Sequence, residues 1–281
     1  MVLKKYIASL LRMFHLNKLA DTVRFVGHYA KNYFPNNRYK RQHRAFAFPP
    51  AYYIYETYAM DYRAYAEDGR QTAAEIKALL DPYLAFDGQP LTLVDWGCGP
   101  GRIVRHWPEL IGEGHRIIGC DYNTLYINWC QKHIPGVQFS QNGLEPPLPL
   151  PEASADAVYG LSIFTHLSES NHYAWAAELQ RILKPGGVLV LTVQGDQSRY
   201  KLLPAELAIY DKGELVVRGF NKEGHRLYAA FQPPAFMVQL FEGLEVLRHI
   251  PGGQPEGLDG MQDSWVLRKP AINRESLAVD R

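Results

Sequence analysis

Cysteine is scarce in this chain: three residues among 281, Cys98, Cys120 and Cys130. The number is odd and the spacing fits no ligand pattern, which argues against a disulfide framework and a zinc site. A reducing, cytoplasmic setting is therefore expected, and no metal. Long apolar runs are missing as well. No stretch approaches the roughly 20 residues that span a bilayer. In the N-terminal "MVLKKYIASLLRMFHLNKLA", Arg12 and His15 interrupt the apolar part, and no small-residue cleavage site follows. A signal peptide is not expected. Internal repeats and long low-complexity tracts are absent too.

What remains is an ordinary globular composition, 47% hydrophobic and 21% charged. Its length suits one large domain with additions, or two small ones. The net charge of +1 conceals an asymmetry: residues 1–44 hold ten Lys/Arg against one acid, Asp21, so the remainder carries −8. Leu3, Ile7, Leu10, Leu11 and Phe14 lie at helical spacing, so residues 1–30 are read as one or two basic amphipathic helices. Residues 31–50, rich in Asn and basic side chains, read as a wrapped loop. This basic segment suits packing on the main body, or a peripheral contact with a membrane or a protein. Nucleic acid is disfavoured, because no recognised binding motif accompanies the charge.

Tyr52, Tyr55, Tyr58, Tyr62 and Tyr65 recur every three or four residues and predict one stripe of a helix. From residue 91 strands and helices alternate. Strands are expected at 91–96, 115–121, 137–140, 155–162 and 188–195, with helices at 101–111, 124–133 and 169–183. That rhythm argues for a parallel sheet in a doubly wound α/β fold. Residues 196–240 break it, and "GELVVRGF" and "RLYAAFQ" around "NKEGH" suggest a small hairpin in an inserted cap. "LEVLRHI" and "SWVLRKP" have no helix between them and are best paired antiparallel. The expected organisation is a basic extension (1–50), a cofactor-binding core (51–195), a cap bearing substrate contacts (196–240), a terminal strand pair (241–270) and a tail (271–281).

The chemistry centres on "LTLVDWGCGPGRIVRHW", residues 91–107, where Gly97, Gly99 and Gly101 follow a strand ending at Asp95-Trp96. Ligands of doubly wound sheets bind at the carboxyl ends of the strands. A helix starting at residue 101 would offer unpaired amides and a positive dipole end. Dinucleotides and S-adenosylmethionine both suit such a turn. A dinucleotide fingerprint needs a third glycine where this chain has Arg102. The next strand ends in Asp121, whose carboxylate can accept both ribose hydroxyls. Tyr122 can lie against adenine, and Asn142-Gly143 after the third strand can meet its edge.

On "VDWGCGPGR", "GCDYN", "QNGLEPPLPLPEASADAVYGLSIFTHL", "LQRILKPGGVLVLTV" and the closing strand pair, the chain resembles the class I S-adenosylmethionine-dependent methyltransferases over about residues 65–270. Within that superfamily it resembles a bacterial small-molecule or glycan-modifying branch. The resemblance implies a mostly parallel seven-stranded, Rossmann-like sheet with an antiparallel last strand, and S-adenosyl-L-methionine as cofactor. Gly97, Gly99 and Gly101 would let the backbone approach the methionine moiety. Asp95 would hold its amino group and Asp121 its ribose. Asn142 stands where aspartate is commoner. Cys98 reads as an apolar filler of the turn. Arg102 could pair with the cofactor carboxylate or with a structural acid, and Ser162 reads as a loop or cofactor contact.

Methyl transfer to a hydroxyl needs an aligned acceptor and a base. His166 follows the strand nearest the expected methyl and is the candidate base; bracing its own loop is the alternative role. His172 is a weaker candidate. Tyr62, Tyr65, His225 and Tyr228 are candidate acceptor contacts. The expected activity is O-methylation of a small polar or glycan-like acceptor. N-methylation, an NAD(P)-dependent oxidoreductase and a non-catalytic cofactor-binding protein are the alternatives.

Overall fold

The computed structural model describes residues 17–219, 221–258 and 260–271. Leu3, Ile7, Leu10, Leu11 and Phe14 lie outside the described residues. The chain divides into two compact units at Gly69/Arg70, not at residue 50 as expected.

The first unit is helical. Helix α1 (Asn17–Gln42) is followed by α2 (Ala51–Thr57) and the start of α3 (Tyr62–Leu80). The expected loop at 31–50 is thus helical as far as Gln42, and Pro35 is accommodated inside the helix. The helix survives because aromatic packing outweighs its weak propensity: Tyr39 joins Phe46, Phe48, Ile54, Tyr62 and Tyr65 in one cluster. The tyrosine stripe is also interrupted, since residues 58–61 separate α2 from α3.

The second unit is built on a seven-stranded sheet. Its strands are β1 (Thr92–Trp96), β2 (Arg116–Asp121), β3 (Gln138–Gln141), β4 (Ala155–Leu161), β5 (Leu183–Val193), β8 (Glu245–Ile250) and β9 (Asp263–Arg268). The order is β3-β2-β1-β4-β5-β9-β8. Strands β1 to β5 pair in parallel, and β9 inserts antiparallel between β5 and β8. The expected sheet and antiparallel closing pair are both present. Alternate residues feed two cores: Val94, Trp96, Leu189 and Leu191 face one, and Leu93, Tyr159, Val188 and Val190 the other. Both faces are covered, which is why the central strands read as near-continuous apolar runs.

Helices α5 (Thr124–His133) and α6 (Glu169–Ile182) lie where expected. The expected helix at 101–111 is shorter: a glycine turn leads into a 3-10 turn at Val104–His106 and then α4 (Trp107–Ile111). The insertion carries α7 (Pro204–Tyr210) and the predicted hairpin, β6 (Val216–Arg218) antiparallel to β7 (Ala229–Phe231). Helix α8 (Pro234–Leu240) falls within the range expected for the cap. Its Phe236, Met237 and Leu240 instead bury themselves in the core with Trp175 and Trp265.

Candidate active site

Asp95 lies opposite Tyr159 in the β1–β4 register, on the same face as Leu93. Trp107 donates its indole N–H to the Tyr159 hydroxyl at 2.9 Å. That hydroxyl in turn hydrogen-bonds Asp95. Burial pushes the Asp95 carboxyl up to about 7, against the opposing pull of the Tyr159 bond and of the nearby Arg102 charge. Its Oδ2 is buried without a hydrogen-bond partner. A carboxylate held in this way is an acceptor set for a donor that the chain itself does not provide.

The glycine turn closes over the end of β2. Gly97 and Gly101 have φ of +77° and +79°, in the left-handed region. A Cβ at Gly97 would overlap Ile163 Cδ1, and one at Gly101 would overlap Ile134 Cδ1. The turn's amides are not free, which corrects the sequence expectation. Gly97 and Cys98 N–H both donate to the Cys120 carbonyl, at 2.8 and 2.9 Å, and Gly101 N–H donates to Cys98. Gly99 N–H donates to Asp121 Oδ2 at 2.9 Å. No α-helix begins at residue 101, so the dipole argument fails there too. Gly97 and Gly101 contribute positive φ and close packing on Ile163 and Ile134 rather than donors. Gly101→Ala is expected to destabilise the protein by about 2 kcal/mol, from left-handed strain plus overlap. Thermal unfolding should show a midpoint lower by about 4–8 °C; an unchanged midpoint would mean that the turn tolerates a side chain.

Asp121 is buried, and its other oxygen accepts the Asn123 N–H at 2.7 Å. Desolvation pushes its carboxyl up to about 6, and the two backbone N–H bonds oppose that rise. Asn142 follows β3, with its N–H on the Asp121 carbonyl at 3.1 Å. Its side-chain Nδ2 donates to the Gly143 carbonyl, while its Oδ1 is buried with no partner. Two orphaned acceptors, on Asp95 and Asn142, therefore bracket Asp121 along the sheet edge.

The other expected cofactor residues are already engaged by the fold. Cys98 is buried, and its thiol lies 3.5 Å from the Gly99 carbonyl. Arg102 donates to Thr72 at 3.5 Å. Ser162 directly follows β4 with φ +62°, and Gln262 Nε2 donates to its hydroxyl at 2.8 Å. Tyr122 donates to the Gly224 carbonyl at 3.0 Å, which ties the loop after β2 to the cap.

That same cap segment holds His166. Gly224 N–H donates to the His166 carbonyl at 2.9 Å. The His166 Nδ1 donates to the Tyr228 carbonyl at 2.8 Å. Because a carbonyl only accepts, Nδ1 carries the proton and Nε2 keeps its lone pair. Burial lowers the His166 pKa below the ordinary histidine value, helped by the neighbouring His225 and Arg226. Glu223 fastens the cap to the start of α6, accepting Ser168 N–H at 2.6 Å and Asn171 Nδ2 at 2.7 Å.

Of the expected acceptor contacts, the structure gathers Tyr228 and His225 around His166. Tyr62 and Tyr65 belong to the first unit's aromatic core. Tyr62 stacks on Phe48 at 4.8 Å, and Tyr65 is fully buried, so the candidate acceptor contact at Tyr65 is a packing residue in this structure. His172 is fully buried between the Ser168 carbonyl and Gln232 and is pushed down to about 4, a bracing role. Sequence reasoning missed Trp107, the polar role of Tyr159, Glu223, Gly224 and Gln262. Only Tyr159 left a signal, as the register partner of Asp95.

A mostly parallel seven-stranded sheet, with a glycine turn and two buried carboxylates at its carboxyl edge, defines a doubly wound α/β fold, a class whose ligands bind at the carboxyl ends of the strands. Residues 93–187 match the family described as "Methyltransferase domain". The chain is similar to a probable S-adenosylmethionine-dependent methyltransferase of Mycolicibacterium smegmatis, 31% identical over 101 residues, 36% of this chain and 37% of that protein. It is also similar to a trans-aconitate 2-methyltransferase of Azoarcus sp., 31% identical over 104 residues, 36% and 38% of the two chains. These matches thus span under two fifths of those relatives' length. A solved S-adenosylmethionine-dependent methyltransferase from Methanosarcina mazei shares the fold, with a TM-score of 0.51 at 20% identity over 69% of this chain and 97% of that one. Over residues 93–187 the chain is thus similar to a methyltransferase domain, and its fold is shared with a solved S-adenosylmethionine-dependent methyltransferase.

Proposed function

We propose that the chain methylates an oxygen of a small polar or glycan-like acceptor, using S-adenosylmethionine as donor and His166 as base. The orphaned Asp95 Oδ2, buried beside the glycine turn and next to Asp121, is the observation that carries this reading. A buried carboxylate near neutrality suits an ammonium group. Asp121, its oxygens each occupied by a single N–H, retains lone pairs for ribose hydroxyls. Asn142 Oδ1 suits an amino donor such as that of adenine. The bound sulfonium supplies an already electrophilic methyl carbon. The chain's remaining tasks are to align the acceptor, exclude water and take the hydroxyl proton on His166 Nε2 as the oxygen–carbon bond forms and the carbon–sulfur bond breaks. The Azoarcus relative is named for trans-aconitate, a small polar acceptor, which agrees with this class.

Calorimetry with S-adenosylhomocysteine and with NAD(H) tests the reading. S-adenosylhomocysteine is expected to bind, and near pH 6.5 to expel roughly one proton, as its ammonium turns the Asp95 carboxyl into a carboxylate. The release appears as a dependence of the heat on buffer ionisation enthalpy. Saturable NAD(H) binding with no response to S-adenosylhomocysteine would overturn the proposal.

A further inference from the structure

We infer that α1 docks the chain on an anionic lipid surface, an inference independent of the methyl-transfer chemistry. The helix presents three different faces. One packs on its own unit: Asp21 accepts the Tyr55 hydroxyl at 2.9 Å, Phe25 meets the Tyr52 and Tyr55 rings at 5.3 Å, and Asn36 Oδ1 accepts the Tyr62 N–H at 3.0 Å. A second face is apolar and open to solvent. Leu19, Val23, Val26, Tyr33 and Phe34 are 62%, 65%, 58%, 46% and 81% exposed. Their spacing, with Ala30 between, places them on one stripe of the helix. An apolar stripe that a folded unit leaves in water marks a contact surface.

The third face identifies the partner. Arg24, Lys31 and Arg38 are exposed, lie seven residues apart and border the stripe along its length. The one acid of residues 1–44, Asp21, is on the buried face, so no negative side chain of this segment offsets that row. Where the row ends, a groove of 530 Å³ opens beside Phe34. Arg38, Tyr39, Asp61 and Arg63 are among its lining residues. Asp61 Oδ1 accepts the Ala64 N–H at 3.0 Å, and Arg63 reaches Glu67 at 2.9 Å. Two guanidinium groups beside an exposed aromatic ring suit a phosphate-bearing headgroup above acyl chains.

A second copy would set two basic rows against each other, whereas an anionic surface attracts both rows and stripe. No helix among the described residues is long and apolar enough to cross a membrane, so α1 would lie in the interface plane.

The full-length protein should co-sediment with vesicles of phosphatidylcholine mixed with phosphatidylglycerol, and not with phosphatidylcholine alone. Added salt should weaken the binding. The triple change Arg24→Gln, Lys31→Gln, Arg38→Gln should reduce partitioning about fivefold for each charge removed. The double change Val23→Ser, Val26→Ser should reduce it at least about tenfold. Both variants should keep the wild-type thermal midpoint and S-adenosylhomocysteine affinity. Absent vesicle binding, or binding that neither variant weakens, overturns the inference. So does a mass doubling in sedimentation velocity that the valine variant abolishes without any vesicle binding, which would assign the stripe to a second copy. A lowered midpoint for the valine variant, again without vesicle binding, would assign it to packing within the chain.

Discussion

Replacing Asp121 with alanine is expected to weaken S-adenosylhomocysteine binding about 30- to 150-fold, or about 2–3 kcal/mol. The carboxylate accepts the Gly99 and Asn123 N–H groups, one on each oxygen, so its removal does more than delete the proposed ribose contact. The buried Gly99 N–H and the part-buried Asn123 N–H lose their partner, and a donor that water cannot reach costs about 1–3 kcal/mol. The alanine variant should therefore also unfold at a lower temperature. Asp121→Asn preserves the volume but turns an NH2 toward one of the two N–H donors, so it should fall between wild type and alanine. Affinity unchanged in both variants would remove Asp121 from the ribose site. The pH dependence gives an independent reading. Burial raises Asp121 to about 6 and Asp95 to about 7, so the ligand-free fold holds protons that the unfolded chain releases. Their contribution favours the fold below about pH 4 and is lost as pH rises through 6 and 7. Ligand affinity should run the other way, increasing over the same interval, because an ammonium and two hydroxyl donors prefer the ionised carboxylates.

The sheet was legible in the sequence because its signals are local and agree with one another. Apolar runs of strand length alternate with helical stretches, and the predicted helix at 124–133 is α5 to the residue. The failures fall where tertiary packing outweighs local preference. "KNYFPNNRYKRQ" has the composition of a loop, yet Tyr39 and Asn36 anchor it as helix, through an aromatic cluster built from residues 46–65 and a bond from the Tyr62 N–H. Residues 101–103 carry a helical pattern, but φ at Gly101 and the hydrogen bond from its N–H to Cys98 commit the chain to a turn. "PAFMVQL" reads as part of the cap and is core instead, because its apolar face finds Trp175 and Trp265 from distant elements.

The site was legible to a similar depth. Asp95, the three glycines and Asp121 are contiguous with strand ends, so reading the strands placed them. What could not be read is which polar groups the fold uses for itself. The amides of Gly97, Cys98 and Gly99 look available in the sequence and are all taken by Cys120 and Asp121. Conversely, the oxygen that is left over, Asp95 Oδ2, is left over only because Trp107 and Tyr159 satisfy the rest of that cluster from two other elements. The link from Tyr122 through Gly224 to His166 spans more than a hundred residues and depends on a cap loop with no motif of its own.

His166→Ala should lower kcat about 10²- to 10⁴-fold while leaving S-adenosylhomocysteine affinity nearly unchanged. The expectation follows from how the ring is held. Nδ1 is committed to the Tyr228 carbonyl, so the lone pair sits on Nε2, the form a base requires. Burial and the adjacent His225 and Arg226 lower the pKa below the ordinary histidine value, which favours the neutral imidazole. With both substrates saturating, kcat should be flat at neutral pH and fall on the acid side, as pH drops through that lowered value and Nε2 is protonated. Stability has the same sign: the buried neutral ring favours the fold above the unfolded pKa, and the contribution is lost as pH falls through the folded one. Conditions that saturate donor and acceptor separate this limb from the carboxylate titrations, which act on affinity. A brace for the loop would behave differently. His166→Gln keeps the same anchor by donating its side-chain amide to the Tyr228 carbonyl, so for a brace it would restore turnover. For a base it should restore the thermal midpoint and leave kcat low. Full activity of the glutamine variant across the acid limb would assign His166 to the loop and leave the proton to another group.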